Sequence, residues 1–115
     1  MGHDISAYLG DNDPEGLFDN LSNWSELPEI AELCRSASHP LRHTIYEVLD
    51  ATDYDGNVSG IWAARWFNRQ QLNIALTLLN ERFSDGLDVE REIKFVRDCL
   101  NALPDNRDCV FVTFG

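Results

Sequence analysis

The segment from Cys109 to Phe114, near the end of this 115-residue chain, has the strongest strand character in the sequence. Its residues are mostly β-branched or aromatic, and such residues favour extended backbone. At the other end, Ile5 to Leu9 forms a short apolar stretch that stops at Gly10, which also predicts a strand. Helical patterns fill most of the chain between them. The sequence therefore predicts an α+β fold: a small antiparallel or mixed sheet that includes both terminal strands, packed against about three helices.

Three segments between the terminal strands have apolar residues at helical spacing. The first covers residues 40–51, where a proline occupies the first helical position. The second covers residues 68–86 and begins with Asn68 and Gln71, which have the spacing of a capping box. The third covers residues 88–103 and starts with an aspartate that is suited to cap a helix.

Two further segments have weaker signals. Residues 29–36 suit a helix by propensity and a strand by their shortness, so both assignments stay open. Residues 58–67 are predicted to be a strand or extended segment that contains Trp62, Trp66 and Phe67. Large aromatic side chains in a domain of this size usually belong to the core. The alternative is an aromatic platform of the kind that stacks on single-stranded nucleic acid.

A chain of this length is predicted to be one domain, residues 1–115. Six Phe, three Trp and three Tyr supply bulky apolar material for a core, which favours a folded domain over a disordered chain. The sequence has neither an apolar run of about 18 residues nor a basic-then-apolar signal, so we expect a cytoplasmic protein. Its three cysteines form an odd, sparse set, which is typical of thiols in a reducing compartment.

Acidic residues are concentrated at the start of the chain. The first 34 residues carry eight carboxylates and no lysine or arginine, whereas the remaining 81 carry twelve acids and nine bases. The net charge of −11 is thus divided into −8 and −3. Such a chain repels phosphates, which argues against direct binding to nucleic acid or to anionic membranes. The asymmetry favours a partner protein with a basic surface.

Within this acidic third, residues 10–28 combine turn-forming residues with carboxylates and two aromatic side chains, and we interpret them as an acidic insertion or loop. Aromatic anchors surrounded by carboxylates are typical of a surface that binds a basic protein. The predicted partner-binding residues are Asp11, Asp13, Glu15, Phe18, Asp19, Trp24, Glu26 and Glu29. Two alternatives stay open: the aromatic side chains pin the segment to the domain, or the acidity only keeps the protein soluble.

One turn-rich segment resembles the first half of a calcium-binding loop, with Asp53, Asp55 and Asn57 at its first, third and fifth positions. Such a loop also needs glycine at position 6 and a bidentate glutamate at position 12. Those positions hold Val58 and Ala64. We therefore expect a solvated turn, since Asp, Gly and Asn favour turns for their own conformational reasons.

Cys34, His39 and His43 have a spacing that would suit three zinc ligands, but the sequence offers no obvious fourth ligand. We expect His39 to cap the helix that follows and His43 to lie on the polar side of that helix. Cys99 and Cys109 fall in core-like segments and are expected to be buried, inert thiols. The sequence thus predicts no metal site and no cofactor.

A catalytic site is not expected either. His3 and Asp4 have the chemistry of an acid–base pair, but polar residues near a terminus are equally consistent with solvated surface. A phosphate-binding loop is excluded, because Gly56 and Gly60 have neither the required spacing nor a following lysine. We therefore predict a binding protein and not an enzyme.

Four motifs give the chain a family resemblance: Gly2-His3-Asp4-Ile5-Ser6-Ala7-Tyr8, the helical segment 40–51, Asn57-Val58-Ser59-Gly60 and the terminal Val112-Thr113-Phe114-Gly115. The chain resembles a loose group of small, uncharacterised phage and prophage proteins with α+β domains. The resemblance implies that residues 29–37 form a second strand, hairpinned to the first. It also implies that residues 10–28, which are longer than the group's usual turn, are an insertion on a common scaffold. Position 57 differs too, because the group tends to have glycine there.

Charge and resemblance together favour a small acidic phage-type protein that binds and inhibits a host defence protein, such as a CRISPR-like or other nucleic-acid-handling complex. Nucleic-acid mimicry is one mechanism, in which carboxylates occupy a groove meant for phosphates. The first alternative is an adaptor or immunity-type module that binds without mimicry. The second is a small metal-dependent enzyme that uses His3, His39, His43 and nearby acids.

Overall fold

The computed structural model describes residues 2–9, 28–105 and 109–115. The strands are β1 (Gly2–Tyr8), β2 (Glu29–Ser36), β3 (Ala63–Asn68) and β4 (Cys109–Phe114). The helices are α1 (Thr44–Val48), α2 (Arg69–Ser84) and α3 (Glu90–Ala102), and a 3-10 turn at Thr52–Tyr54 lies between α1 and β3. The predicted α+β fold is confirmed in these ranges. None of the described helices is long and apolar enough to cross a membrane.

The two terminal strands lie side by side in the middle of a four-stranded antiparallel sheet, whose order is β2-β1-β4-β3. Ile5 is opposite Phe114, and β4 also pairs along its whole length with β3. Residues 29–36 form a strand that is hairpinned to β1, as the resemblance implied. Their side chains alternate, with Ala31, Leu33 and Arg35 buried and the intervening residues exposed. This period of two is the pattern of a half-buried strand.

The helices cover one face of the sheet, which we call the inner face. Its core joins side chains from the sheet, including Ile5, Phe67 and Phe114, to helical side chains such as Leu72 and Val96. The opposite, outer face carries a smaller aromatic cluster of Tyr8, Trp66 and Phe111, in which the rings of Trp66 and Phe111 meet edge to face at 5.4 Å. A strand places successive side chains on opposite faces, so His3 is buried on the inner face whereas Asp4 is exposed on the outer one.

The longest helix begins as its sequence predicted. The Asn68 side chain accepts a hydrogen bond from the Gln71 backbone amide, and the Gln71 side chain accepts one from the Asn68 amide, both at 2.8 Å. This capping box satisfies two amides that the first helical turn leaves without partners. The predicted cap of α3 by Asp88 is wrong, because Val89 occupies the N-cap position and no side chain caps the helix.

The predicted helix over residues 40–51 is much shorter than expected. Only Thr44–Val48 is α-helical, because the preceding residues form successive turns with three-residue hydrogen bonds, from Arg42 to His39 and from Thr44 to Leu41. Such bonds wind the chain more tightly than an α-helix does. The turns bring His43 into contact with the loop that follows α1.

Strand β3 begins five residues later than predicted, and this changes the position of Trp62. Its backbone amide donates to the Phe114 carbonyl at 2.8 Å, but its φ of +60° turns the chain, and 84% of the residue is exposed. The expectation that Trp62 lies in the core is therefore wrong, whereas Trp66 and Phe67 are buried as expected. Those two side chains point to opposite faces of the sheet, so the three aromatic residues do not form one platform.

A buried ion pair joins β2 to α3. Arg35 donates from Nε to Glu92 Oε2 at 2.8 Å and from Nη2 to Oε1 at 2.6 Å, and both side chains are almost fully buried. Arg35 also donates to the Asp88 carbonyl at 3.2 Å and contacts His39. The hydrogen bonds to Glu92 raise the pKa of Arg35 further above its usual value. The helix is thus fastened to the edge strand by charge as well as by apolar packing.

Candidate functional site

The acidic segment joins β1 to β2, and its two ends are held together. The Leu9 amide donates to the Pro28 carbonyl at 3.0 Å, so the chain leaves and re-enters the sheet at one place. Glu29, the first residue of β2, is exposed. The other seven predicted partner-binding residues lie outside the described residues, and their role stays a prediction.

The outer face of the β1–β2 hairpin is acidic. Asp4 on β1 and Glu29 and Glu32 on β2 are exposed there, and we call these three residues the hairpin acidic face. The outward-facing residues of the two described strands include no lysine or arginine, since the arginine of β2, Arg35, points into the core. The acidic character of the segment thus continues onto the strands that flank it.

The negative charge of this face raises the pKa values of neighbouring groups. The pKa of Tyr8 is raised first by burial and then by Glu29 and Glu32, while a hydrogen bond with Ser6 acts in the opposite direction. For Cys34, the largest cause of its raised pKa is a hydrogen bond with Asp4, and burial adds to it. Carboxylates of the hairpin acidic face contribute to both shifts, because a nearby negative charge disfavours the appearance of a second one.

The reactivity of the exposed Cys34 thiol tests the effect of Asp4 on its pKa directly. Because Asp4 raises the pKa of Cys34, little of the reactive thiolate is present at pH 8, and Asp4→Asn should accelerate modification by a disulfide reagent severalfold. Asp53→Asn, at an exposed acid on another element, is the matched control and should leave the rate unchanged. The measurement is the pseudo-first-order rate at Cys34 by peptide mass spectrometry. Equal rates in the wild type and Asp4→Asn would contradict the assignment.

An outer-face groove of about 280 Å³ lies beside the acidic residues. The groove is lined by Asp4, Ser6 and Tyr8 from β1, by Trp62 from the residue before β3, and by Thr113 from β4. The Trp62 ring also packs closely against the backbone at Gly115, where a side-chain carbon added to the glycine would lie 3.2 Å from the ring. An exposed aromatic residue and a carboxylate-bearing residue therefore line the same groove. The sequence did not predict this pairing, because Trp62 follows the pattern of a core residue.

A second cluster of polar side chains lies on the inner side of the sheet. It brings together His3 from β1, His43 from the turn before α1, Tyr46 from α1, and Asp55 and Asn57 from the loop before β3. Suitable donor atoms of His3, His43 and Asp55 all lie within 4.8 Å of one another. The structure thus joins residues from four parts of the sequence at one point.

Hydrogen bonds fix the orientation of each member of this cluster. His3 Nδ1 lies 2.7 Å from the Tyr46 hydroxyl, and Nε2 lies 3.1 Å from the Asn57 carbonyl. A carbonyl can only accept, so the tautomer with its proton on Nε2 satisfies both contacts, and Nδ1 accepts from the hydroxyl. His43 Nδ1 pairs with Asp55 Oδ2, while Asp55 Oδ1 accepts from the Asn57 amide at 2.8 Å. The loop backbone therefore positions the carboxylate.

Burial differs sharply across the cluster. His3 is 1% exposed, whereas the side chains of Asp55 and His43 are 14% and 34% exposed. Tyr46 is fully buried, and this burial raises its pKa well above the usual value, so its hydroxyl stays protonated at neutral pH. The cluster is therefore rigid at its inner end and open to solvent at His43.

These positions correct two sequence-based expectations. His43 does not lie on a polar helix side, since it pairs with Asp55. The calcium-like turn supplies that acid to the cluster, while Asp53 stays exposed.

Cys34, His39 and His43 do not assemble a zinc site, because Cys34 lies on the outer face and His39 contacts Arg35. His39 does accept a hydrogen bond from the Leu41 amide at 3.0 Å, as a local cap. Cys99 is buried, and burial raises its pKa to about 12, as expected for an inert thiol.

In comparisons with models of known protein families, with curated proteins and with solved structures, nothing matched this chain. The resemblance to phage and prophage proteins therefore stays a prediction. Any functional assignment has to rest on the residues of the chain itself. The two features that qualify are the acidic outer face with its groove and the histidine–carboxylate cluster.

Proposed function

We propose that this chain is a small acidic protein that binds a basic surface on another protein. The observation that carries the proposal is that the exposed Trp62 and the exposed Asp4 line the same outer-face groove. A tryptophan face and a carboxylate at one place suit an arginine side chain, which stacks on the ring and pairs with the acid. Hot spots of protein interfaces are enriched in this combination.

The net negative charge of the chain also supports this proposal, because it attracts a basic partner over a longer distance than direct contacts do. A net charge of −11, concentrated in the first third of the chain, attracts a basic protein and raises its association rate. The acidic segment joins the two strands that carry the hairpin acidic face, and its ends at Leu9 and Pro28 meet through a backbone hydrogen bond. In this proposal the charge supplies long-range attraction and the groove supplies short-range anchoring.

The finer proposal concerns the partner. A basic groove wide enough to accept rows of carboxylates is a feature of proteins that bind nucleic acid. With the resemblance to phage proteins, this favours inhibition of a host defence protein in the host cytoplasm, by occupation of the site meant for phosphates. The alternative is an adaptor or immunity-type module that binds mainly through the groove and Trp62. The exposure of Trp62 is the observation in its favour.

The salt dependence of the affinity for the partner tests the electrostatic contribution to binding. The chain is immobilised, a partner is captured from host lysate and identified, and its affinity is measured at about 0.05 M and about 0.5 M NaCl. We expect a loss of at least about tenfold at the higher concentration, because screening weakens attraction between exposed charges. The double change Asp4→Lys and Glu32→Lys should cause a similar loss. Glu81→Lys with Asp85→Lys alters the total charge equally on the helical side and should have a much smaller effect.

Two further measurements separate mimicry from plain adaptor binding. In the mimicry mechanism, the nucleic acid bound by the partner competes with this chain, and reversing Asp11, Asp13 and Glu15 weakens binding. In the adaptor mechanism, Trp62→Ala abolishes binding, whereas nucleic acid does not compete. If binding is insensitive to salt and survives both the charge reversals and Trp62→Ala, then neither the acidic residues nor the groove binds the partner.

A further inference from the structure

We propose that His3, His43 and Asp55 bind a divalent first-row transition metal ion. The proposal rests on the geometry of the cluster on the inner side of the sheet. It is independent of the acidic outer face, because β1 directs His3 and Asp4 to opposite faces. Zinc serves as the probe below.

The donor set has the chemistry of such a site. Imidazole nitrogens suit zinc, iron, nickel and copper, and two histidines with one carboxylate form a recurring three-ligand set. Calcium and magnesium prefer oxygen ligands, so this cluster does not suit them. The calcium-like sequence around Asp55 therefore supplies one carboxylate to a site of different chemistry. Among the described residues, these three form the group that meets the distance requirement for a metal.

Only a small movement is needed to reach ligand distances. With metal–ligand bonds of about 2.1 Å, two ligand atoms of a tetrahedral site lie about 3.4 Å apart. The three donor atoms already lie within 4.8 Å of one another. His3 is held by two hydrogen bonds, and Asp55 is held by the Asn57 amide. His43 Nδ1 pairs directly with Asp55 Oδ2 and has to give up this contact to the ion, and His43 has the most exposed side chain of the three, so its ring has space to rotate.

The hydrogen-bond partner of His3, Tyr46, can hold the histidine in the orientation that a metal ligand needs. A metal-bound histidine usually keeps its orientation through a hydrogen bond from its other ring nitrogen. If Nε2 of His3 binds the ion, its proton moves to Nδ1, and Nδ1 then donates to the Tyr46 hydroxyl oxygen, which lies 2.7 Å away. The Asn57 carbonyl loses its contact with Nε2 and keeps its hydrogen bond from Arg42. The contact between Nδ1 and the hydroxyl is thus kept in both tautomers, and metal binding requires the Tyr46 O–H to rotate away from Nδ1.

The cluster supplies three protein ligands, and two of them, His43 and Asp55, are partly exposed to solvent. Three protein ligands leave a coordination position that water or substrate occupies in catalytic zinc sites, whereas structural zinc sites use four protein ligands. Arg42 donates to the Asn57 carbonyl at 3.3 Å from the exposed side and opposes a cation electrostatically. We therefore expect moderate affinity, and Arg42→Ala should bind zinc more tightly than the wild type.

Zinc binding by the full chain, purified without an affinity tag, tests the proposal. Titration calorimetry with zinc chloride should give one site per chain, and cobalt(II) should produce visible absorption bands that zinc abolishes. His43→Gln and Asp55→Asn should weaken binding by on the order of 100-fold. His39→Gln is the matched control, since His39 contacts Arg35 and Leu41 outside the cluster. It should bind zinc as the wild type does.

Unfolding temperatures separate lost ligands from a lost fold. His43 and Asp55 are partly exposed, so their variants should melt at nearly the wild-type temperature without metal. Added zinc should raise the unfolding temperature of the wild type and of His39→Gln but not of the other two variants. The proposal is overturned if the wild type fails to bind zinc at about 0.1 mM, on the order of the weakest useful affinity. It is also overturned if His43→Gln and Asp55→Asn, with their fold intact, bind zinc as tightly as the wild type.

Discussion

Arg35→Ala is expected to destabilise the fold by about 4 kcal/mol, because it leaves Glu92 charged and fully buried without its partner. The carboxylate has two hydrogen bonds from Arg35, at 2.8 and 2.6 Å, and both are lost together. A small domain has a free energy of unfolding of roughly 5–15 kcal/mol, so this loss removes a large part of it. The free energies of unfolding from urea titrations of the wild type and the variant give the difference.

Two comparisons show whether the buried charge is the cause. Lys94→Ala removes an ion pair with Asp98 at an exposed position of α3 and should cost less than about 1 kcal/mol. The double change Arg35→Met and Glu92→Leu removes both charges and should recover most of the stability that Arg35→Ala loses. If the double variant is as unstable as Arg35→Ala, then packing of the arginine stem, and not the unpaired carboxylate, explains the loss.

Gly60→Ala is expected to destabilise the fold by about 3 kcal/mol, the upper end of the range for an overpacked site. An added side-chain carbon would lie 2.5 Å from the Phe114 carbonyl carbon, a distance at which backbone has to move. The Gly60 amide also donates to the Gly115 carbonyl at 3.1 Å, so the loop before β3 is anchored here to the end of β4. Displacement of this anchor should also disturb the position of Asn57 and Asp55, and so weaken any zinc binding.

Gly86→Ala is the matched control for this change. Gly86 has a φ of +92° but open space around it, so alanine there costs only the conformational term, about 1 kcal/mol. Thermal and urea unfolding give the loss of unfolding free energy in each variant. The difference between the two losses is the contribution of the close approach of two backbone segments at Gly60. Equal losses would mean that the backbone at Phe114 yields easily and that the close approach at Gly60 contributes little.

Much of this fold follows from local signals in the sequence. The strand at Cys109–Phe114 and the capping box at Asn68 depend on residues adjacent in the chain, and both have the predicted structure. Residues 29–36 stayed ambiguous because Arg35 occupies an inward position of the strand, where a charged residue breaks the expected apolar alternation. Its partner Glu92 lies 57 residues away, so no local pattern could show that the charge is compensated.

The histidine–carboxylate cluster could not be predicted from local sequence patterns either, because its residues are far apart in the chain. His3 lies 43 residues from Tyr46 and 54 from Asn57, and these contacts exist only because β1 is a central strand. Trp62 was misplaced because its exposure depends on one backbone angle, a φ of +60°, which the residue type does not favour. Asn57 has a φ of +76°, a left-handed conformation that asparagine adopts more often than most residues do.

The central position of β4 has a consequence for how the protein is made. Ribosomes release a chain from its first residue onwards, so β1, β2 and β3 leave the ribosome before β4 does. Until residues 109–114 emerge, β1 lacks one neighbour and β3 lacks the strand it pairs with. Closing the sheet requires contacts such as Ile5 with Phe114, which are the slowest kind to form. The nascent chain therefore exposes unpaired strand edges until β4 emerges, and the charge of its acidic N-terminal third opposes aggregation during that interval.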